Sequence, residues 1–133
     1  MENVLPWKLN MDKSKIFGLW KEHFNDTFPS LLDAPRAKLS SRDMEMIAHY
    51  LEICPIWIAS PGVVYSSTNT VEIAGTPSIR TDGQWAWQDT MAYYVRKLHI
   101  TPPAEFVLSV QEKMGIPPLE TDLNLELLEF PEL

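Results

Sequence analysis

Between residues 12 and 28, Ile16, Leu19, Trp20, His23, Phe24 and Phe28 recur at the three- and four-residue spacing of a single helical face. Asp12 stands where an N-cap belongs and Pro29 where a helix must stop. The pattern predicts an amphipathic helix. Residues 31–39 contain Pro35 and scattered charges without a period, and read as a connection. Ser40 followed by Asp43 resembles a capping box with aspartate in the usual glutamate place. Met44, Ile47, Ala48 and Leu51 then form the stripe of a second helix, which ends before Pro55.

From Ile56 the period changes. Residues 56–59, 63–65 and 70–74 are short runs of β-branched or aromatic side chains separated by Pro61-Gly62 and by residues 66–69, and read as strands. Residues 78–81 and 84–87 flank Asp82-Gly83, a hairpin signal because a type I′ turn needs positive φ at both central positions. With that two-residue loop, Arg80 would stand opposite Trp85, Ser78 opposite Trp87 and Ile79 opposite Ala86. Arg80 would then be free to lie over Trp85 as a cation–π neighbour.

Asp89 offers an N-cap for a third helix carrying Met91, Tyr94, Val95 and Leu98 on one face. Thr101, Pro102 and Pro103 suit the start of a fourth, which Phe106, Val107, Val110 and Met114 mark and Gly115 ends. Beyond Pro117-Pro118 the chain turns acidic. Glu120, Asp122, Glu126, Glu129 and Glu132 supply five of the seven net negative charges with no basic residue among them, yet Leu123, Leu125, Leu127, Leu128 and Phe130 are too apolar for a solvated linker. The expectation is one α+β domain over residues 1–133, a small, mostly antiparallel sheet with about four helices packed on it. Residues 117–133 form an acidic C-terminal tail docked on that domain.

Composition narrows the function. At 133 residues one core suffices, and no stretch reaches the ~20 apolar residues of a membrane span. The first residues lack the basic and long apolar stretches of a secretory signal, and Cys54 has no second cysteine to pair with; both suit a cytoplasmic protein. A net charge of −7 opposes direct nucleic-acid binding and attracts basic partners. His23, His49 and His99 fall on three separate predicted helices with no ligand at i+3 or i+4. No phosphate loop, nucleophile elbow or dinucleotide fingerprint occurs, so no metal, cofactor or catalytic residue is expected. Cys54 lies in an apolar run with no base beside it, which suits a buried thiol. Asp82 and Asp89 flank the tryptophans as glycosidase carboxylates do, but a turn and a cap explain them structurally.

The segment Thr81-Asp82-Gly83-Gln84-Trp85-Ala86-Trp87, followed by Tyr93-Tyr94-Val95, His99, and then Pro103, Glu105 and Phe106, resembles a motif of small bacterial proteins. Several of these look like immunity proteins of polymorphic toxin systems, including contact-dependent growth inhibition. The likeness spans residues 50–110. The apolar residues 53–57 and the acidic tail depart from it and inherit nothing. It implies a partner of the same kind, the C-terminal domain of a toxin, expected to be a basic nuclease, neutralised by binding and without chemistry. Chosen for charge and expected exposure, the candidate partner-binding residues are Glu72, Asp82, Glu120, Asp122, Glu126 and Glu129. Two other classes stay open. One is a small-molecule site or enzyme in an aromatic pocket of Trp57, Trp85 and Trp87 with His99 or Asp82 converging on it. The other is an oligomeric adaptor.

Overall fold

A computed structural model describes residues 9–133. They form a single α+β domain whose centre is a four-stranded mixed sheet in the order β2-β7-β6-β3, from Ile16–Phe17 (β2), Ile56–Ile58 (β3), Ile79–Thr81 (β6) and Ala86–Gln88 (β7). β2 runs parallel to β7 and the other pairs are antiparallel. Two strand pairs complete the β-structure, Leu9–Asn10 (β1) with Leu128–Glu129 (β8), and Val64–Tyr65 (β4) with Ile73–Gly75 (β5). The described residues hold three α-helices rather than about four: Ser41–Ile53 (α1), Met91–Leu98 (α2) and Ala104–Glu112 (α3).

The missing helix is the first one predicted. Asp12 caps only a 3₁₀ turn at Lys13–Lys15, its carboxylate accepting from Ser14 N at 2.9 Å. The chain then enters the sheet as β2. Gly18 takes a left-handed φ of 74° and lies so close to Met91 that an added Cβ would meet its sulfur at 3.0 Å. The helical spacing was satisfied differently. Ile16 and Leu19 pack into one apolar cluster and Trp20 into another, while Phe17, off the predicted stripe, meets Trp85, Trp87 and Phe106. Tertiary pairing outweighs helix preference here, and a helix-interior glycine already costs about 1 kcal/mol.

α1 follows its pattern. Ser40 Oγ accepts from Asp43 N at 3.0 Å, Ile47, Ala48, Tyr50 and Leu51 are buried, and the helix stops at Cys54, whose ψ of 150° is the extended value that a following proline favours. Two caps proposed from sequence are used otherwise. Asp89 does not cap α2, because its carboxylate takes Arg80 Nε on one oxygen and the amide and hydroxyl of Thr76 on the other. Thr101 does not cap α3 either, since its hydroxyl accepts from Ala37 N at 2.8 Å.

The hairpin forms with a longer loop than two residues. Thr81 pairs with Ala86, Arg80 with Trp87 and Ile79 with Gln88, leaving residues 82–85 as the turn. The Asp82 carboxylate sets this length by accepting from Gln84 N and Trp85 N at 2.9 and 2.8 Å. Thr81 Oγ1 donates to Trp85 O, and Gly83 supplies the φ of 94°.

Because side chains alternate along each strand, the sheet has two covered faces. Phe17 and Trp87 point into the larger cluster beneath α1, α2 and α3. Ile16, Ile79, Ala86 and Trp57 point the other way, into a smaller cluster completed by Met11, Leu19, Leu128 and Phe130.

Candidate functional site

The acidic tail is laid down by that smaller cluster. After 3₁₀ turns at Glu120–Asp122 and Leu125–Leu127, β8 pairs with β1 and Met11 N donates to Glu129 O at 3.0 Å. Leu128 and Phe130 face the sheet, and Glu129 between them faces out. Leu123 closes over the hairpin tip, near enough that a Cβ on Gly83 would meet its methyl at 2.9 Å. With these apolar side chains fixed inward, Glu120, Asp122, Glu126 and Glu129 are exposed, and none pairs with a cation among the described residues. Just upstream, Met114, Ile116 and Leu119 are also exposed, so apolar surface adjoins the carboxylates in sequence.

The other two candidates lie elsewhere and are occupied. Asp82 is not at the surface: it is buried, with Tyr50 donating to Oδ2 at 2.7 Å, two amides on Oδ1 and Lys113 Nζ at 3.8 Å. Its charge belongs to the hairpin. Burial and this carboxylate together hold the Tyr50 hydroxyl protonated well above the ordinary phenol range, and push the neighbouring Cys54 thiol up to about 12. Glu72 sits beside the β4–β5 pair, accepting from Tyr93 Oη and facing Lys97 Nζ at 3.7 Å; the tyrosine hydrogen bond, then the lysine, hold its pKa below the usual carboxylate value.

The tryptophans do not share a pocket. Trp85 and Trp87 are buried against Phe106 at 5.7 and 5.3 Å between ring centroids, and Trp87 Nε1 donates to Leu51 O at 3.0 Å. Trp57 is on the opposite face of the sheet against Phe130. The cation over Trp85 is Lys15, 4.3 Å from the ring, because Arg80 is drawn to Asp89 and to Cys54 O. His99 is exposed and does not converge on these rings. No cluster of three or more His, Cys, Asp or Glu side chains able to hold a metal occurs among the described residues.

Two features escaped the sequence. His23 is half-buried with Nε2 2.7 Å from Tyr94 Oη, which itself accepts from Ser67 N at 3.1 Å. The His23 tautomer sets which of the two donates; desolvation lowers the pKa of the ring, against a smaller opposing pull from Glu22. Trp20, assigned to a helix face, instead lines an apolar cleft. Sequence spacing alone carried no sign of either, since both depend on turns that bring distant segments together. No protein family, curated protein or solved structure matches this chain.

Proposed function

We propose that the chain is an immunity protein that binds and neutralises a toxin domain, with a basic nuclease as the partner, by presenting an anionic surface and performing no chemistry itself. The supporting observation is the arrangement of the tail: Leu123, Leu128 and Phe130 are engaged inward, and Glu120, Asp122, Glu126 and Glu129 are held outward on a backbone ordered before any partner arrives. Prior ordering lowers the entropic cost of association, and unpaired carboxylates accelerate encounter with a cationic surface. A nuclease that attracts phosphate offers such a surface. The Thr81–Trp87 segment that carries the family resemblance contributes scaffold, and the contact surface lies outside it.

The test is binding and protection against the toxin domain encoded beside this gene. Wild-type protein should bind and rescue cells expressing that domain. The double variant Glu126→Lys, Glu129→Lys should keep the wild-type unfolding midpoint while its association rate falls about tenfold, and raising salt should slow the wild type in the same direction. Absence of binding, or binding indifferent to both the reversal and salt, defeats the reading.

A further inference from the structure

Beside residues 36–39, where the start of α1 meets the end of α2, the surface opens into a groove of about 750 Å³, a size suited to a small organic molecule. Its floor is apolar and firm, because Leu39, Met44 and Leu98 all pack against the larger core cluster. The wall that carries Arg36 and Lys38 is held as well. Thr101 N donates to Pro35 O at 2.9 Å, and Ala37 N donates to Thr101 Oγ1 at 2.8 Å. Two long cationic side chains therefore start from a clamped backbone, and an occupant has only their side-chain freedom to overcome.

The charge of this groove runs against that of the whole molecule. Glu45 is its one acidic lining residue among the described residues, and both Glu45 oxygens accept from Arg96, from Nε at 3.0 Å and from Nη2 at 2.6 Å. Arg96 is further engaged by Glu52, which lies outside the groove. Arg36 and Lys38 are exposed and pair with no carboxylate among the described residues. His99, also exposed, lines the groove on a left-handed φ of 59°, a backbone that glycine usually supplies at a helix end; here it carries an imidazole. In physiological salt the Debye length is about 8 Å, so the groove's own lining, more than the net charge of −7, sets the field that an occupant meets.

Two unanswered cations call for two negative charges. A lone carboxylate would leave one of them unmatched. A phosphate monoester carries close to two charges at neutral pH and above, and its three acceptor oxygens suit the fork of an arginine. The apolar floor gives the rest of such a molecule a surface to lie on. We propose that this groove binds a small phosphate monoester with an apolar body, its phosphate held by Arg36 and Lys38 with His99 donating beside them, and its body over Leu39, Met44 and Leu98. None of the carboxylates assigned to toxin binding lines the groove, so this site stands or falls apart from that role.

The probe is phenyl phosphate, with phenyl sulfate as the singly charged comparator of similar shape, titrated at constant ionic strength and about pH 7.5 into ¹⁵N-labelled full-length protein. Phenyl phosphate should move the amide resonances of residues 36–39 and 98–99 saturably at low millimolar concentration, and should bind about fivefold more tightly than the sulfate. Arg36→Gln and Lys38→Gln are exposed changes, and the rest of each spectrum reports an intact fold. Each should weaken phenyl phosphate about threefold, and the double variant should bind the two esters alike. Lys21→Gln, an exposed change outside the groove, should leave both affinities unaltered. The proposal is overturned if phenyl phosphate gives no saturable shift at low millimolar concentration, or if its shifts fall elsewhere on the protein. It is overturned equally if the wild type binds the two esters alike, or if Lys21→Gln weakens phenyl phosphate as much as the groove variants do.

Discussion

Phe130 packs against Trp57 with 5.6 Å between ring centroids, joining the end of the acidic tail to the edge strand of the central sheet. The contact is one of the anchors that decide which way the tail's carboxylates face. Phe130→Ala should destabilise the domain by about 2 kcal/mol, less than the ~3–5 kcal/mol of a fully buried phenylalanine because this side chain is only partly buried. Urea unfolding would read the loss as a lower midpoint. Under the proposed immunity role, the same variant should also weaken binding to the toxin domain although no charge has changed.

Asp82 satisfies three hydrogen-bond donors from a buried position. Asp82→Ala orphans Tyr50 and two turn amides at once and should cost about 3 kcal/mol or more. Asp82→Asn keeps an oxygen for the amides and should cost clearly less. Thermal melts of the two variants provide the comparison; equal losses would mean that charge, not hydrogen bonding, dominates at this turn.

His23 gives a pH signature of definite sign. Its pKa in the folded protein is lowered from 6.5, chiefly by desolvation, so as pH falls below that value the unfolded chain takes up a proton that the folded chain resists. The contribution of His23 is complete above pH 6.5 and is lost progressively below it, until the folded-state value is reached. Stability of the wild type relative to His23→Gln, followed from pH 7.5 to about 5.5, should therefore decline as the solution is acidified. Glu22, the charged neighbour opposing desolvation, should enlarge the decline when replaced by glutamine.

Cys54 is fully buried and its thiol is pushed up to about 12, first by desolvation and then by Asp82. Native protein should leave a thiol reagent such as dithionitrobenzoate unreacted at pH 8, with one equivalent released on unfolding in urea. Rapid reaction of the native protein would show a path to the sulfur absent from this packing.

α1 was legible because every determinant is local: Ser40 caps it, Pro55 ends it and one apolar stripe buries it. The hairpin's existence was legible too, but its register was not. Asp-Gly signals a turn, whereas the loop length depends on the Asp82 carboxylate reaching two amides and on the buried Tyr50 hydroxyl, 32 residues away in sequence. That same burial is why charge alone wrongly placed Asp82 at the surface. Residues 12–28 failed for a different reason. The spacing of Ile16, Leu19 and Trp20 fits one helical face, but the sheet has a core on each side and these residues are divided between them. Of the candidate surface, the tail glutamates were legible as an uninterrupted acidic run; Glu72 was not, since Tyr93 and Lys97 reach it only in the folded chain.

The β1–β8 pair brings together strands separated by nearly the whole described span. Closing so long a loop is entropically late, so this strip of backbone should form near the end of folding and be among the first to breathe open. Its amides should exchange with deuterium sooner than those of α1. A ligand gripping the carboxylates would slow that exchange and raise the melting temperature by mass action.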